Sequence, residues 1–120
     1  MKIDLCTQGM LLKPIGLGST FFTDLPPAEA ERWESTLRPF ALEALMTPLP
    51  EVDPREWNIS YLMTENDKVV PIHSQEWMIE RIRALGAKIE VTRISADHFP
   101  FLSHVKETAA WLKGVLEEVK

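Results

Sequence analysis

The chain has 120 residues, 45% apolar and 26% charged, the proportions of one ordinary domain with a modest core. A net charge of −5 with no basic stripe argues against nucleic acid and against an anionic membrane surface as partners. One cysteine, Cys6, excludes an intrachain disulfide and a cysteine-rich zinc site. No charged-then-apolar leader opens the chain and no apolar run nears the ~20 residues of a membrane span, so a cytoplasmic setting is expected.

In chain order, Lys2-Ile3-Asp4-Leu5 and Met10-Leu11-Leu12 read as a short hairpin across Thr7-Gln8-Gly9. Asp24-Leu25-Pro26-Pro27 reads as a helix start, with an acidic cap and prolines where the first turn does not need their N–H groups. That helix should run from about Pro27 to Leu37, with Ala30, Trp33 and Leu37 on one face. Pro39 interrupts it, and a second short helix is expected over Phe40 to Met46. Pro48, Pro50 and Pro54 then make Thr47 to Pro54 an extended connector. It separates a front segment, residues 1–50, from a back segment, residues 51–120.

The back segment reads strand, helix, strand, helix. Ile59 to Met63 is a short apolar run that empties into Thr64-Glu65-Asn66-Asp67. Ser74 can cap a helix over Gln75 to Leu85 with Met78, Ile82 and Leu85 as its stripe, and Gly86 suits the left-handed position that ends it. Ile89 to Ile94 is the second strand and empties into Ser95-Ala96-Asp97-His98-Phe99-Pro100. A last helix, about Val105 to Val119, should bury Ala109, Leu112 and Leu116, with Trp111, Val115 and Val119 broadening the stripe. Short links between such elements imply parallel strands and a right-handed crossover. The four tryptophans are expected mostly in the core.

Two residues in this pattern carry chemistry. Asp67 follows the first strand and His98 the second, 31 residues apart, which is about one strand–helix–strand unit. Parallel strands end on the same edge, where open α/β sheets place their ligands. An aspartate beside a histidine is the orienting part of an acyl-transfer triad. His73 and His104 have no metal-like partners, and neither a metal nor a cofactor is expected.

The stretches Tyr61 to Pro71, Gln75-Glu76 and His98-Phe99-Pro100-Phe101-Leu102-Ser103 resemble the carboxy-terminal part of an α/β-hydrolase. The subgroup is that of compact methyl-esterases and hydroxynitrile lyases. Phe21 to Ala30 is similar to the start of that subgroup's cap helices, so the resemblance covers nearly the whole chain. It implies that Asp67 is the triad acid and His98 the triad base, with Phe99, Trp33 and Phe22 lining a substrate pocket. The chain departs from the family in two ways. A full member is about twice as long, and it carries G-x-S-x-G on a strand-to-helix turn. No G-x-S-x-G occurs here. Gly16-Leu17-Gly18-Ser19-Thr20 has a serine among glycines but no expected strand before it or helix after it. Asp97 and Phe99 stand where the family commonly has small residues, so Asp97 would add negative charge beside His98 and Phe99 could close the pocket.

The expected fold is a shortened α/β-hydrolase: two parallel strands, flanking helices and a small helical cap. Two such strands make a poor sheet by themselves. Completion by a homodimer is expected, or by a separate chain supplying the amino-terminal half. Two functional classes stay open. One is a partial or repurposed hydrolase (a lyase, isomerase or cyclase) acting on a small ester-like or polyketide-like molecule with His98 as acid/base. The other is a non-catalytic binding or scaffolding remnant.

Overall fold

A computed structural model of the chain describes residues 2–6, 9–13 and 16–118. They fall into two compact units, Met1–Val52 and Asp53–Lys120.

In the front unit β1 (Lys2–Cys6) and β2 (Gly9–Lys13) run antiparallel, with Lys2 opposite Lys13 and Cys6 opposite Gly9. The expected hairpin is therefore present, and its turn residues Thr7 and Gln8 lie outside the described residues. A third strand, β3 (Phe40–Ala41), pairs with β2 through Phe40 and Leu12. This corrects the helix expected from Phe40, because α3 covers only Leu42–Met46. Helical spacing is a local signal, and ladder bonds to a distant strand override it at Phe40 and Ala41.

A four-residue helix, α1 (Gly18–Phe21), was also not expected. Four residues are too few to show a helical period, and its start is fixed from a distance: the Leu17 N–H donates to Glu34 Oε1 at 2.8 Å. Glu34 belongs to α2 (Pro27–Thr36), which opens with Pro26 at the cap position and Pro27 at the first helical position. No side chain caps this helix, so the acidic cap expected there does not form. Ala30, Trp33 and Leu37 share a half-buried face, as their spacing requires.

The back unit opens with a 3₁₀ turn, Pro54–Glu56, inside the stretch expected as plain connector or its edge. Asp53 caps it, accepting from the Arg55 N–H at 3.0 Å and from the Arg55 guanidinium at 2.6–3.0 Å. These bonds from Arg55 hold the Asp53 carboxyl down at about 2.

Strands β4 (Ile59–Thr64) and β5 (Ile89–Ile94) then pair in parallel, in register from Ile59–Ile89 to Thr64–Ile94. Helix α4 (Ile72–Ala84) connects them. It starts at Ile72 after Pro71, two residues before the expected Ser74 cap, and Pro71's fixed φ preforms that start. Gly86 ends it at φ +86°.

The core lies between this sheet and α4. Met63, Ile79 and Ile89 are buried at its centre, with Ile59, Tyr61, Ile72, Ile82 and Val91 around them. Truncating Met63 or Ile79 to alanine should cost about 2–5 kcal/mol. The buried line on α4 is Ile72, Gln75, Ile79 and Ile82, whereas Leu85 is exposed. The expected stripe of Met78, Ile82 and Leu85 is thus rotated, because an apolar pattern cannot include Gln75. On the sheet's other face, Ser60, Glu90 and Thr92 border a gap of about 190 Å³ with α6 (Val105–Glu118). The half-buried line of α6 is Thr108, Trp111, Gly114 and Val115. Ala109, Leu112 and Leu116, expected inside, are exposed, and Val119 lies outside the described residues. With Trp111, Gly114 and Val115 lining the gap beside the sheet, Ala109, Leu112 and Leu116 turn outward. Trp57 and Trp77, expected in the core, are each 60% exposed. A short helix α5 (Pro100–Ser103) precedes α6. No helix among the described residues is long and apolar enough to cross a membrane.

Candidate active site

The parallel pairing of β4 and β5 brings two turns side by side at the carboxyl edge. Backbone bonds fasten them: Glu65 N–H donates to the Ile94 carbonyl at 2.9 Å and Asn66 N–H to the Ala96 carbonyl at 3.0 Å. Asn66 Nδ2 adds a bond to Ser95 Oγ at 3.1 Å. The sheet therefore brings the turns that carry Asp67 and His98 together.

Asp67 is only 8% exposed. Its Oδ1 accepts from the N–H groups of Val69 and Val70 at 2.8 and 2.9 Å. Its Oδ2 accepts from the Thr64 hydroxyl at 3.1 Å and lies 2.9 Å from His98 Nδ1. Burial alone would raise the Asp67 carboxyl. The hydrogen bond from His98, those from Val70 and Val69, and the charge of the imidazole outweigh it, so the carboxyl sits below its ordinary value. An ionised Asp67 can only accept, so His98 Nδ1 carries the proton in this bond. In the neutral ring Nε2 is then the basic nitrogen, the tautomer that general-base chemistry requires.

The His98 side chain is 27% exposed and contributes to a pocket of about 350 Å³. Tyr61, Leu62, Met78, Phe101 and Trp111 supply the pocket's apolar side chains along with Val70 and Pro100. Burial raises the Tyr61 hydroxyl, and the charge of Asp67 adds to the effect. Phe99 packs its ring edge-to-face against His98 at 4.8 Å and against Phe101 at 5.4 Å. It buttresses the imidazole, while Pro100 and Phe101 face the pocket.

Trp33 and Phe22 belong to the front unit. Phe22 is buried there with its ring edge-on to Phe21 at 6.2 Å, and Trp33 is half-buried with the Arg32 guanidinium 5.3 Å from its ring centre. Ser19, also in that unit, is exposed in the first turn of α1, so a helix does follow the glycines, contrary to expectation.

Three polar side chains at this edge make bonds that the sequence did not lead us to expect, although Asp97 was expected as a charge beside His98. Gln75 is buried beneath the acid turn, where it bonds Thr64, Val70 and Tyr61. Its signal was a polar residue three after Ile72 and four before Ile79, on the core line. Thr64 closes the strand and reaches Asp67. Asp97 is buried and accepts through Oδ1 from the Phe99 N–H at 3.2 Å and the Ser103 hydroxyl at 2.9 Å. Among the described residues no group of three His, Cys, Asp or Glu side chains could hold a metal ion.

No family model and no curated protein sequence matches the chain. Solved structures do, among them two of one esterase. Polyneuridine aldehyde esterase matches with a TM-score of 0.73 at 24% identity, over 95% of this chain and 47% of the esterase. A histidine-to-alanine mutant of that esterase matches with a TM-score of 0.70 at 22% identity, over the same shares. This chain has the fold of the carboxy-terminal part of an α/β-hydrolase. It spans about half the length of the structures it matches.

Proposed function

We propose that the chain carries the acid and base of an esterase-type site and acts on a small ester or related carbonyl compound. The observation that carries this reading is the 2.9 Å contact between Asp67 Oδ2 and His98 Nδ1 at the carboxyl edge of the sheet, beside an open apolar pocket. In this reading His98 Nε2 takes a proton from water or a hydroxyl as its oxygen bonds to the ester carbonyl carbon. The imidazolium, stabilised by Asp67, then returns the proton to the leaving alkoxide as the C–O bond breaks. The same acid/base pair suits a lyase, isomerase or cyclase step. The fold shared with an esterase supports the substrate class.

The working form in this proposal is an assembly. Thr64 N–H and C=O face Gln75 while Glu65 N–H faces β5. By strand alternation the N–H and C=O groups of Ser60 and Leu62 also face away from β5. Among the described residues no strand pairs with that edge. Open edges and exposed Trp77, Phe101, Leu112 and Leu116 are costly for a lone domain. A second copy of the chain covers them in the proposed assembly.

Hydrolysis of p-nitrophenyl acetate by the purified native assembly tests the chemistry. His98→Ala should lower turnover by about 10²–10⁴-fold, and unchanged turnover refutes the reading. Native mass measurement tests the assembly. A dimer is expected, whereas a stable monomer would leave a separate complementing chain as the way to complete the sheet. A scaffolding role is favoured by one feature: the pocket runs along the open edge of β4, which suits a partner strand as well as a small molecule. A stable assembly with no esterase activity would select it.

A further inference from the structure

Gln75 is an uncharged polar residue on the core line of α4 and is 1% exposed. A side-chain amide is carried inside only when its donors and acceptor are matched. Here Nε2 donates to the Val70 carbonyl at 2.7 Å and the Thr64 carbonyl at 2.9 Å, with Thr64 Oγ1 at 3.4 Å. Oε1 accepts from the Thr64 N–H at 3.1 Å and the Tyr61 hydroxyl at 3.3 Å. The amide orientation is forced, because two carbonyls require its NH₂ and an N–H requires its oxygen.

Bonding both the N–H and the C=O of one residue is what a neighbouring strand does. Gln75 thus stands in for a strand residue at Thr64, the last position of β4. It also grips the far end of the acid turn at Val70. Both gripped residues touch Asp67 directly, Thr64 through its hydroxyl on Oδ2 and Val70 through its N–H on Oδ1. One side chain therefore pins the two ends of the segment that carries the carboxylate.

We infer that Gln75 is a positioning residue for the Asp67–His98 pair: by holding Thr64 and Val70 it sets the place of the carboxylate, and through it the proton on His98 Nδ1. Only the turnover arm of the test rests on the proposed esterase chemistry. The spectroscopic arm does not.

The variant is Gln75→Met, close in volume and without amide hydrogen bonds. Nitrogen-15 spectra of the full chain should show His98 in the wild type with its proton on Nδ1 and that proton protected from exchange. In Gln75→Met the protection should be lost and the tautomers should mix. Misplacing the base by about 1 Å should lower kcat for p-nitrophenyl acetate roughly 10²-fold with KM little changed. In an Asp67→Asn background Gln75→Met should add no further loss, since Gln75 acts through the carboxylate. A lower melting temperature with an unchanged Nδ1 proton overturns the inference and leaves Gln75 a structural residue. A turnover loss with an unchanged Nδ1 proton overturns it as well. If the variant does not fold, the wild type decides. The Gln75 amide protons should exchange slowly and show coupling across hydrogen bonds to the Thr64 and Val70 carbonyl carbons, and fast exchange without coupling overturns the inference. A wild type with no esterase activity removes the proposed function while the tautomer measurement still judges Gln75.

Discussion

Asp67 stands three residues beyond the end of β4, and Asp97 stands three residues beyond the end of β5. The strands are in register, so the two acids occupy equivalent places in neighbouring turns. Both are buried, and each uses Oδ1 to accept from the N–H two residues on, Val69 in one turn and Phe99 in the other. This is the ordinary aspartate turn, set by local sequence. The turns differ in their remaining partners. Asp67 gives its second oxygen to the Thr64 hydroxyl and His98. Asp97 accepts the Ser103 hydroxyl from α5 on the same oxygen as Phe99. The same local device thus orients an imidazole in one turn and ties down a helix in the other. Which one results depends on the neighbouring element, not on the turn.

The widest separation between the two turns should be in turnover. In Asp67→Asn the amide oxygen can keep the Val69 and Val70 bonds, which points NH₂ at His98 Nδ1. The ring must then accept there and carry its proton on Nε2, so it cannot serve as a base. Turnover of p-nitrophenyl acetate should fall by about 10²–10⁴-fold, the usual worth of a positioned general base. Asp97→Asn, corrected for folded fraction, should keep the wild-type rate. Equal losses in the two variants would mean that both acids serve His98 and that the contrast fails.

The order should reverse for Asp97→Ala when stability is measured. This change leaves the Phe99 N–H and the Ser103 hydroxyl without their charged acceptor in a buried place. Each such bond contributes about 1.5–3 kcal/mol. Urea unfolding should show a loss at least as large as that of one such bond, with p-nitrophenyl acetate turnover per folded molecule unchanged. A loss under about 0.5 kcal/mol, the size of an ordinary surface change, would show that Asp97 does not fasten α5.

These contrasts also mark what the sequence made readable. Strand order and the spacing from Asp67 to His98 were enough to expect the pair at one edge, because parallel strands leave little freedom there. The extents of β4 and β5, the ending at Gly86 and the hairpin of the front unit were also local enough to read. The helix faces were not. Gln75 breaks the apolar pattern of α4, and Gly114 leaves α6 without a strong inward preference, so the expected stripes were rotated. Asp97 read as a neighbouring charge for His98, because a bond to Ser103 six residues on depends on α5, and four residues give no periodic signal. β3 depends on a ladder to a distant strand and was equally invisible.

Acid should separate the variants more gently. The Asp67 carboxyl lies below its ordinary value of 3.8 in the fold. A group depressed on folding contributes stability above its unfolded value and loses it as pH falls through the folded one. The difference in unfolding free energy between wild type and Asp67→Asn should therefore be level above the ordinary carboxyl range. It should shrink as pH drops below 3.8. A difference that grows in acid would mean that the protonated carboxyl, not the carboxylate, is the form the turn prefers.

The smallest expected effect concerns Ser103, which sits between an acid and a histidine, whereas in a triad the histidine sits between the acid and the serine. The geometry is inverted. Its hydroxyl donates to Asp97 Oδ1 at 2.9 Å, and His104 Nδ1 lies 2.9 Å from the same oxygen. With its one proton given to the carboxylate, Ser103 Oγ accepts from His104, so that imidazole nitrogen carries a proton and cannot take one. A serine in the middle of such a chain is held and not activated, unlike one at the far side of a histidine from its acid. Ser103→Ala should cost about 1.5–3 kcal/mol, one hydrogen bond to a charged group. It should leave both ester turnover and labelling by a serine-directed fluorophosphonate as they are in the wild type. Wild-type labelling that disappears in Ser103→Ala would make the second turn a nucleophile site and overturn the division of labour between the two aspartates.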